Sequence, residues 1–174
     1  LATAMVRPML VDAGPGLEDM AALLGVTGFG AGLVGSIAGG LLARGGSRHR
    51  LLVALGGAQL AGVALWALPA LGHTSYALLH AVCGVEHFLA GMATAALFTV
   101  MMDSCREEHA ATDYALQASV VVAATGLAAA LGGASAALLG YAGNVALALV
   151  LGVIGVPDLA AARPPRVLLT PSPA

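Results

Sequence analysis

The chain has no lysine, and its basic residues are seven arginines. Charged side chains make up 9% of it and aromatic ones 4%, which leaves no basic patch interleaved with rings to hold nucleic acid. Cysteine is scarce as well. Cys83 and Cys105 lack Cys-x-x-Cys spacing, and the first falls inside an apolar run, so we expect no disulfide framework. There is no nucleophile elbow, no phosphate-cradling glycine loop and no His-Glu-x-x-His helix. We therefore expect no enzymatic activity, no cofactor and no resident metal.

What abounds is apolar surface. Hydrophobic residues form 59% of the chain, and the mean hydropathy is +0.93, far above the needs of a water-soluble domain. Residues 18–44, 51–71, 76–102, 112–140 and 141–162 each supply the roughly 20 apolar residues needed to cross a ~30 Å hydrocarbon core. They are apolar all round, not along one stripe, as helices surrounded by lipid are. Residues 1–13 read as a partial span begun upstream, because the chain opens at Leu1 inside an apolar run. We read the whole as an all-α integral membrane bundle over 1–163 that forms the C-terminal portion of a longer protein. The remaining 163–174, with four prolines, reads as a disordered cytoplasmic tail.

The arginines give the bundle a direction. Arg44, Arg48 and Arg50 share one loop, Arg106 lies in another, and Arg163 and Arg166 lie in the tail. Those loops fall on one side, which the positive-inside rule assigns to the cytoplasm, with the C-terminus. The Arg44–Arg50 loop serves as a topological anchor and is a candidate gate at the helix ends. Gly28/Gly32, Gly32/Ser36 and Gly35/Gly39 are small-xxx-small pairs that allow close backbone approach, and Gly126, Ala130, Gly133 and Ser135 repeat the theme.

Glu86-His87 is the sharpest candidate site. Glu86 lies about ten residues into its span, or ~15 Å at 1.5 Å per residue, near mid-membrane. Ionisable groups at that depth are costly and face a cavity or a partner. An acid that gains and loses a proton in a gated cavity is what proton-coupled transport requires. The bland alternative is a structural, hydrogen-bonded acid. His80, Cys83 and His87 fall in a narrow arc that Tyr76 and Thr94 extend, and we read this stripe as the lining of a translocation path. A metal on His80, Cys83 and His87 would take all its ligands from one helix, which disfavours it. Arg7 either snorkels to the nearby surface or faces the interior, where it could hold an anionic group or pair with Glu86. Gln117 and Ser119 are polar groups near the arginine-rich side.

These residues carry a resemblance. Gly39-Gly40 through Arg50 resembles the short cytoplasmic loop motif of the major facilitator superfamily, without that loop's usual acid. Glu86-His87-Phe88 followed by Gly91-Met92-Ala93-Thr94-Ala95-Ala96 is similar to the Glu-Asn-Phe…Gly-x-Gly-Thr-Ala-Ala run of muropeptide permeases, with His87 in place of Asn. Ala111-Thr112-Asp113-Tyr114-Ala115-Leu116-Gln117-Ala118-Ser119 resembles Ala-Thr-Gln-Tyr-Ala-Leu-x-Ser-Ser of that branch and the Thr-Asp-aromatic-x-Leu-Gln form of siderophore-uptake permeases. The resemblance implies a twelve-helix permease of two six-helix halves, with solute bound between them. This chain would supply the end of the seventh helix, carrying Arg7, and helices eight to twelve, with Glu86 on the tenth. It implies import of a polar or anionic solute with protons across a bacterial inner membrane. The implied partners are the bilayer, the solute, protons and the N-terminal half. Efflux of a drug or metabolite, a small structural membrane subunit and a metal-dependent membrane enzyme are the competing readings.

Overall fold

The computed structural model describes residues 2–14 and 16–161; the tail, with Arg163 and Arg166, lies outside them. Every regular element among the described residues is helical. After a short turn at Thr3–Met5 comes α1, Val6–Ala13. It carries Pro8 in its first turn, where no backbone N–H is needed. Gly14, at φ 84°, ends it in the left-handed conformation that a glycine adopts without a Cβ penalty. The long helices are α2 (Leu17–Leu42), α3 (Arg48–Ala70), α4 (Tyr76–Asp103) and α5 (Ala110–Ala161). Glu18 and Asp19 occupy the first turn of α2, where acids suit the positive helix end. The Ser47 hydroxyl caps α3 by accepting from the Arg50 N–H at 3.4 Å. Within α2, residues Ala22–Gly28 widen into a π-type turn.

Four helices are thus long and apolar enough to cross a membrane. The last is too long for one crossing, since 52 residues at 1.5 Å each approach ~80 Å. It is broken at Gly140, whose φ of 71° and ψ of 176° are not helical. The Ser135 hydroxyl donates to Asn144 Oδ1 across this break at 2.7 Å. Residues nine apart on a straight helix would lie ~13 Å apart. The hydrogen bond therefore requires the chain to turn back at Gly140, making arms 110–139 and 141–161 antiparallel neighbours at that corner.

Two bundle ends result. Tyr141 donates to the Asp12 carboxylate beside Trp66 and the start of the second arm, while Leu159 of that arm reaches Leu52 and Leu55 near the start of α3. The loops carrying Arg44, Arg48 and Arg106 share this second end with Asp103. Among the described residues, the outward-facing surface of these helices is largely apolar. The most apolar window of α5 is only 11% buried, and Phe29, Val122, Leu127 and Leu138 stand exposed. Such a surface in water would be an aggregation liability. Hydroxyls in these spans are satisfied internally: Ser36, Thr99, Ser119 and Thr125 each donate to the carbonyl four residues back.

The tightest packing lies between α2 and α4. A Cβ on Gly35 would collide with the Phe88 backbone, one on Gly39 would stand 2.6 Å from the Met92 carbonyl oxygen, and one on Gly91 would meet the Ser36 nitrogen at 2.9 Å. Backbone atoms cannot step aside, so these glycines set the helix separation. The small residues of the first α5 arm do not act this way within this chain: nothing lies within 4 Å of a Cβ on Gly126 or Gly133.

Candidate functional site

Glu86 lies near the middle of α4 and is 1% exposed. Its neighbours come from three elements. Gln59 of α3 donates its Nε2–H to Glu86 Oε1 at 3.0 Å, and the Thr3 hydroxyl adds a longer bond to the same oxygen at 3.4 Å. Gly62, one turn beyond Gln59, makes this possible, because a Cβ there would stand 3.3 Å from the Glu86 Cα. The carboxylate thus lies where α3 and α4 approach closely, under the segment that leads into α1.

His87 shapes the other side. Its Nδ1 is 2.9 Å from Glu86 Oε2 and 3.0 Å from the Cys83 carbonyl oxygen. A carbonyl can only accept, so the second contact requires the proton on Nδ1. That N–H points along the helix to Cys83, and Oε2 is left without a hydrogen bond despite its proximity. The short distance is an electrostatic contact, not a satisfied bond. Gln59 Oε1 is also buried without a partner. The cluster therefore holds two unsatisfied acceptors in an apolar span, a costly state for a purely structural group.

The remaining sequence candidates are dispersed. His80 bonds the Tyr76 carbonyl through Nδ1 at 3.0 Å, stacks on the Tyr76 ring and lines a cleft of about 200 Å3 with Asp19, Leu23 and Thr74. Cys83 is fully buried and donates to the Leu23 carbonyl of α2 at 3.4 Å, and the His87 ring sits against Gly28. Of the stripe read as a path lining, Cys83 and His87 pack on α2, whereas Tyr76 is exposed. Among the described residues no group of three or more His, Cys, Asp or Glu is arranged to hold a metal. Arg7 is exposed on α1, and Thr94 is exposed on α4. Glu86 is instead reached from the first segment by Thr3. Gln117 ties the first α5 arm to the end of α4, donating to the Met101 carbonyl at 3.3 Å and to Cys105 Sγ at 3.5 Å.

At the arginine-rich end, Arg48 pairs with Asp103 and also donates to the Ala43 carbonyl at 3.2 Å. The Arg44–Arg50 loop has no acid of its own, yet Asp103 reaches it from the end of α4. Arg106 clasps Asp113 through its backbone N–H and guanidinium, at 2.8 to 3.0 Å. Sequence reasoning did not single out Gln59, Thr3 or Asp103. A lone Gln in an otherwise uncharged span was the available signal for the first. Asp103 and Arg48 are both more than 40% exposed, so their pair contributes at most about 1 kcal/mol. Asp103→Asn is expected to lower the thermal midpoint in detergent only slightly, and the exchanged pair Arg48→Asp with Asp103→Arg to recover the loss at low salt.

No protein-family model matches the chain, and no solved structure matches it.

Proposed function

We propose that this chain is the C-terminal half of a secondary transporter of the major facilitator type, and that it imports a polar or anionic solute together with protons. The observation that carries the reading is Glu86, a carboxyl group buried among apolar helices. Its hydrogen-bond partners are the neutral Gln59 and Thr3, and its second oxygen is unsatisfied. Burying a carboxyl group among apolar helices is costly where an oxygen lacks a hydrogen bond, so a functional role is the simplest reason to keep it. The sequence resemblance at Glu86–Ala96 and Ala111–Ser119 supplies the transporter class and points to muropeptide-like or siderophore-like solutes.

On this reading the N-terminal half covers exposed faces of α2 and of the first α5 arm, and solute binds between the halves. A proton entering from outside neutralises Glu86, and release to the cytoplasm resets it. The arginine-bearing loops face the cytoplasm of a bacterial inner membrane. The test is uptake of labelled candidate solutes by the complete protein in proteoliposomes. An imposed inward proton gradient should drive accumulation, and a protonophore should abolish it. Accumulation that persists with the gradient collapsed would overturn proton coupling.

A further inference from the structure

The acceptors left over around Glu86 point to a second role for Gln59. When Glu86 is a carboxylate, the Gln59 amide donates Nε2–H to Oε1 at 3.0 Å, and the Gln59 amide oxygen is buried and idle. A protonated Glu86 reverses the requirement: it brings an O–H that needs an acceptor. His87 does not provide one, because the Nδ1 lone pair and the Nδ1–H bond share one in-plane direction, and that direction is taken up by the Cys83 carbonyl. Thr3 sits at the longer distance of 3.4 Å. The remaining acceptor beside the carboxyl is Gln59 Oε1, which a half-turn of the amide brings to face it. That rotation is about an sp3–sp2 bond, with a broad and roughly two-fold profile.

We propose that Gln59 partners Glu86 in both protonation states by turning its amide over, so that the proton carried on α4 is registered on α3. This rests on the reading of Glu86 as the proton carrier and extends it to the helix that senses the load. The step is a simple protonation. A hydronium ion gives its proton to the carboxylate, water leaves, and the amide reorients without any covalent change of its own. Gln59 is a positioning residue here. The ionisable group facing Glu86 from its own helix is His87, and among the described residues α3 and the Thr3 segment present the neutral Gln59 and Thr3. Gly62 keeps α3 and α4 close enough for the amide to reach in either orientation.

The experiment is infrared difference spectroscopy of the complete protein in liposomes, between alkaline and acidic buffer. The carboxylic C=O band that disappears in Glu86→Gln belongs to Glu86. In the wild type its frequency should be that of an acid donating a hydrogen bond. In Gln59→Met, of similar length and apolar, the band should move to the higher frequency of an acid without an acceptor. The initial rate of gradient-driven uptake should fall by about tenfold or more, the equivalent of one hydrogen bond to a charged group. Where Gln59→Met does not reach the membrane, wild-type protein with 13C-labelled glutamine side chains gives the same answer: an amide carbonyl band should shift in step with the Glu86 band. A Glu86 band present but unmoved in Gln59→Met, or a glutamine band that ignores it, overturns the role of Gln59 and leaves proton coupling intact. The absence of any Glu86-dependent band overturns both.

Discussion

Glu86→Gln in the complete protein is expected to bring gradient-driven solute accumulation down to simple equilibration. Each pH unit across the membrane can drive about tenfold accumulation per proton carried, because one unit corresponds to about 1.36 kcal/mol. A glutamine cannot carry that proton, so the whole of this factor should vanish. Downhill exchange of labelled for unlabelled solute should survive, since the amide keeps the size of the acid. Folding should survive too. The new side chain keeps an oxygen that can accept from Gln59 Nε2–H as Glu86 does. Uptake by this variant that still follows the proton gradient would remove Glu86 from the coupling path.

Gly35→Ala should be the most damaging single methyl group in the chain. Its Cβ would run into the Phe88 carbonyl, and neither helix backbone can move locally to accept it. The expected outcome is separation of α2 and α4, with loss of the contacts around Met92 and Ala96. Overpacking of this kind costs about 1–3 kcal/mol, and more where backbone meets backbone. Gly30→Ala is the matched control on the same helix, with nothing within 4 Å of its Cβ. There the higher helix propensity of alanine, about 1 kcal/mol in a helix interior, should act unopposed. The thermal midpoint of the detergent-purified protein should therefore drop sharply for the first variant and hold or rise for the second. Equal behaviour of the two would mean that α2 and α4 do not pack through their glycines.

Some of this was legible along the chain. Long uncharged runs such as 51–71 leave only helices as a way to satisfy backbone groups in lipid, so the all-helical apolar class follows from composition and length. Glu86 was legible for the same reason, as an acid far from either end of its run. Its partner was not. Gln59 and Glu86 are 27 residues apart on different helices, and a glutamine has no titration or periodicity to announce it. The stripe of His80, Cys83 and His87 shows a second limit. Spacing places residues on one face of α4, but whether that face meets open space or another helix depends on packing. Here Cys83 and His87 meet α2, where Gly28 leaves room for the His87 ring.

Sequence by itself determined that this chain is helical and apolar enough to live in a bilayer, and that its arginines gather in particular loops. These properties depend on what each residue is and on its neighbours a turn away. The turn at Gly140 was already legible as the boundary between spans 112–140 and 141–162; only the tertiary structure decided that Asp103 serves the loop bearing Arg48, and that Gln59 meets Glu86 with an acceptor to spare on each. Such pairings depend on which helix lies beside which, a choice made by glycine-sized gaps and shared hydrogen bonds between distant segments, and no local pattern of residues encodes it.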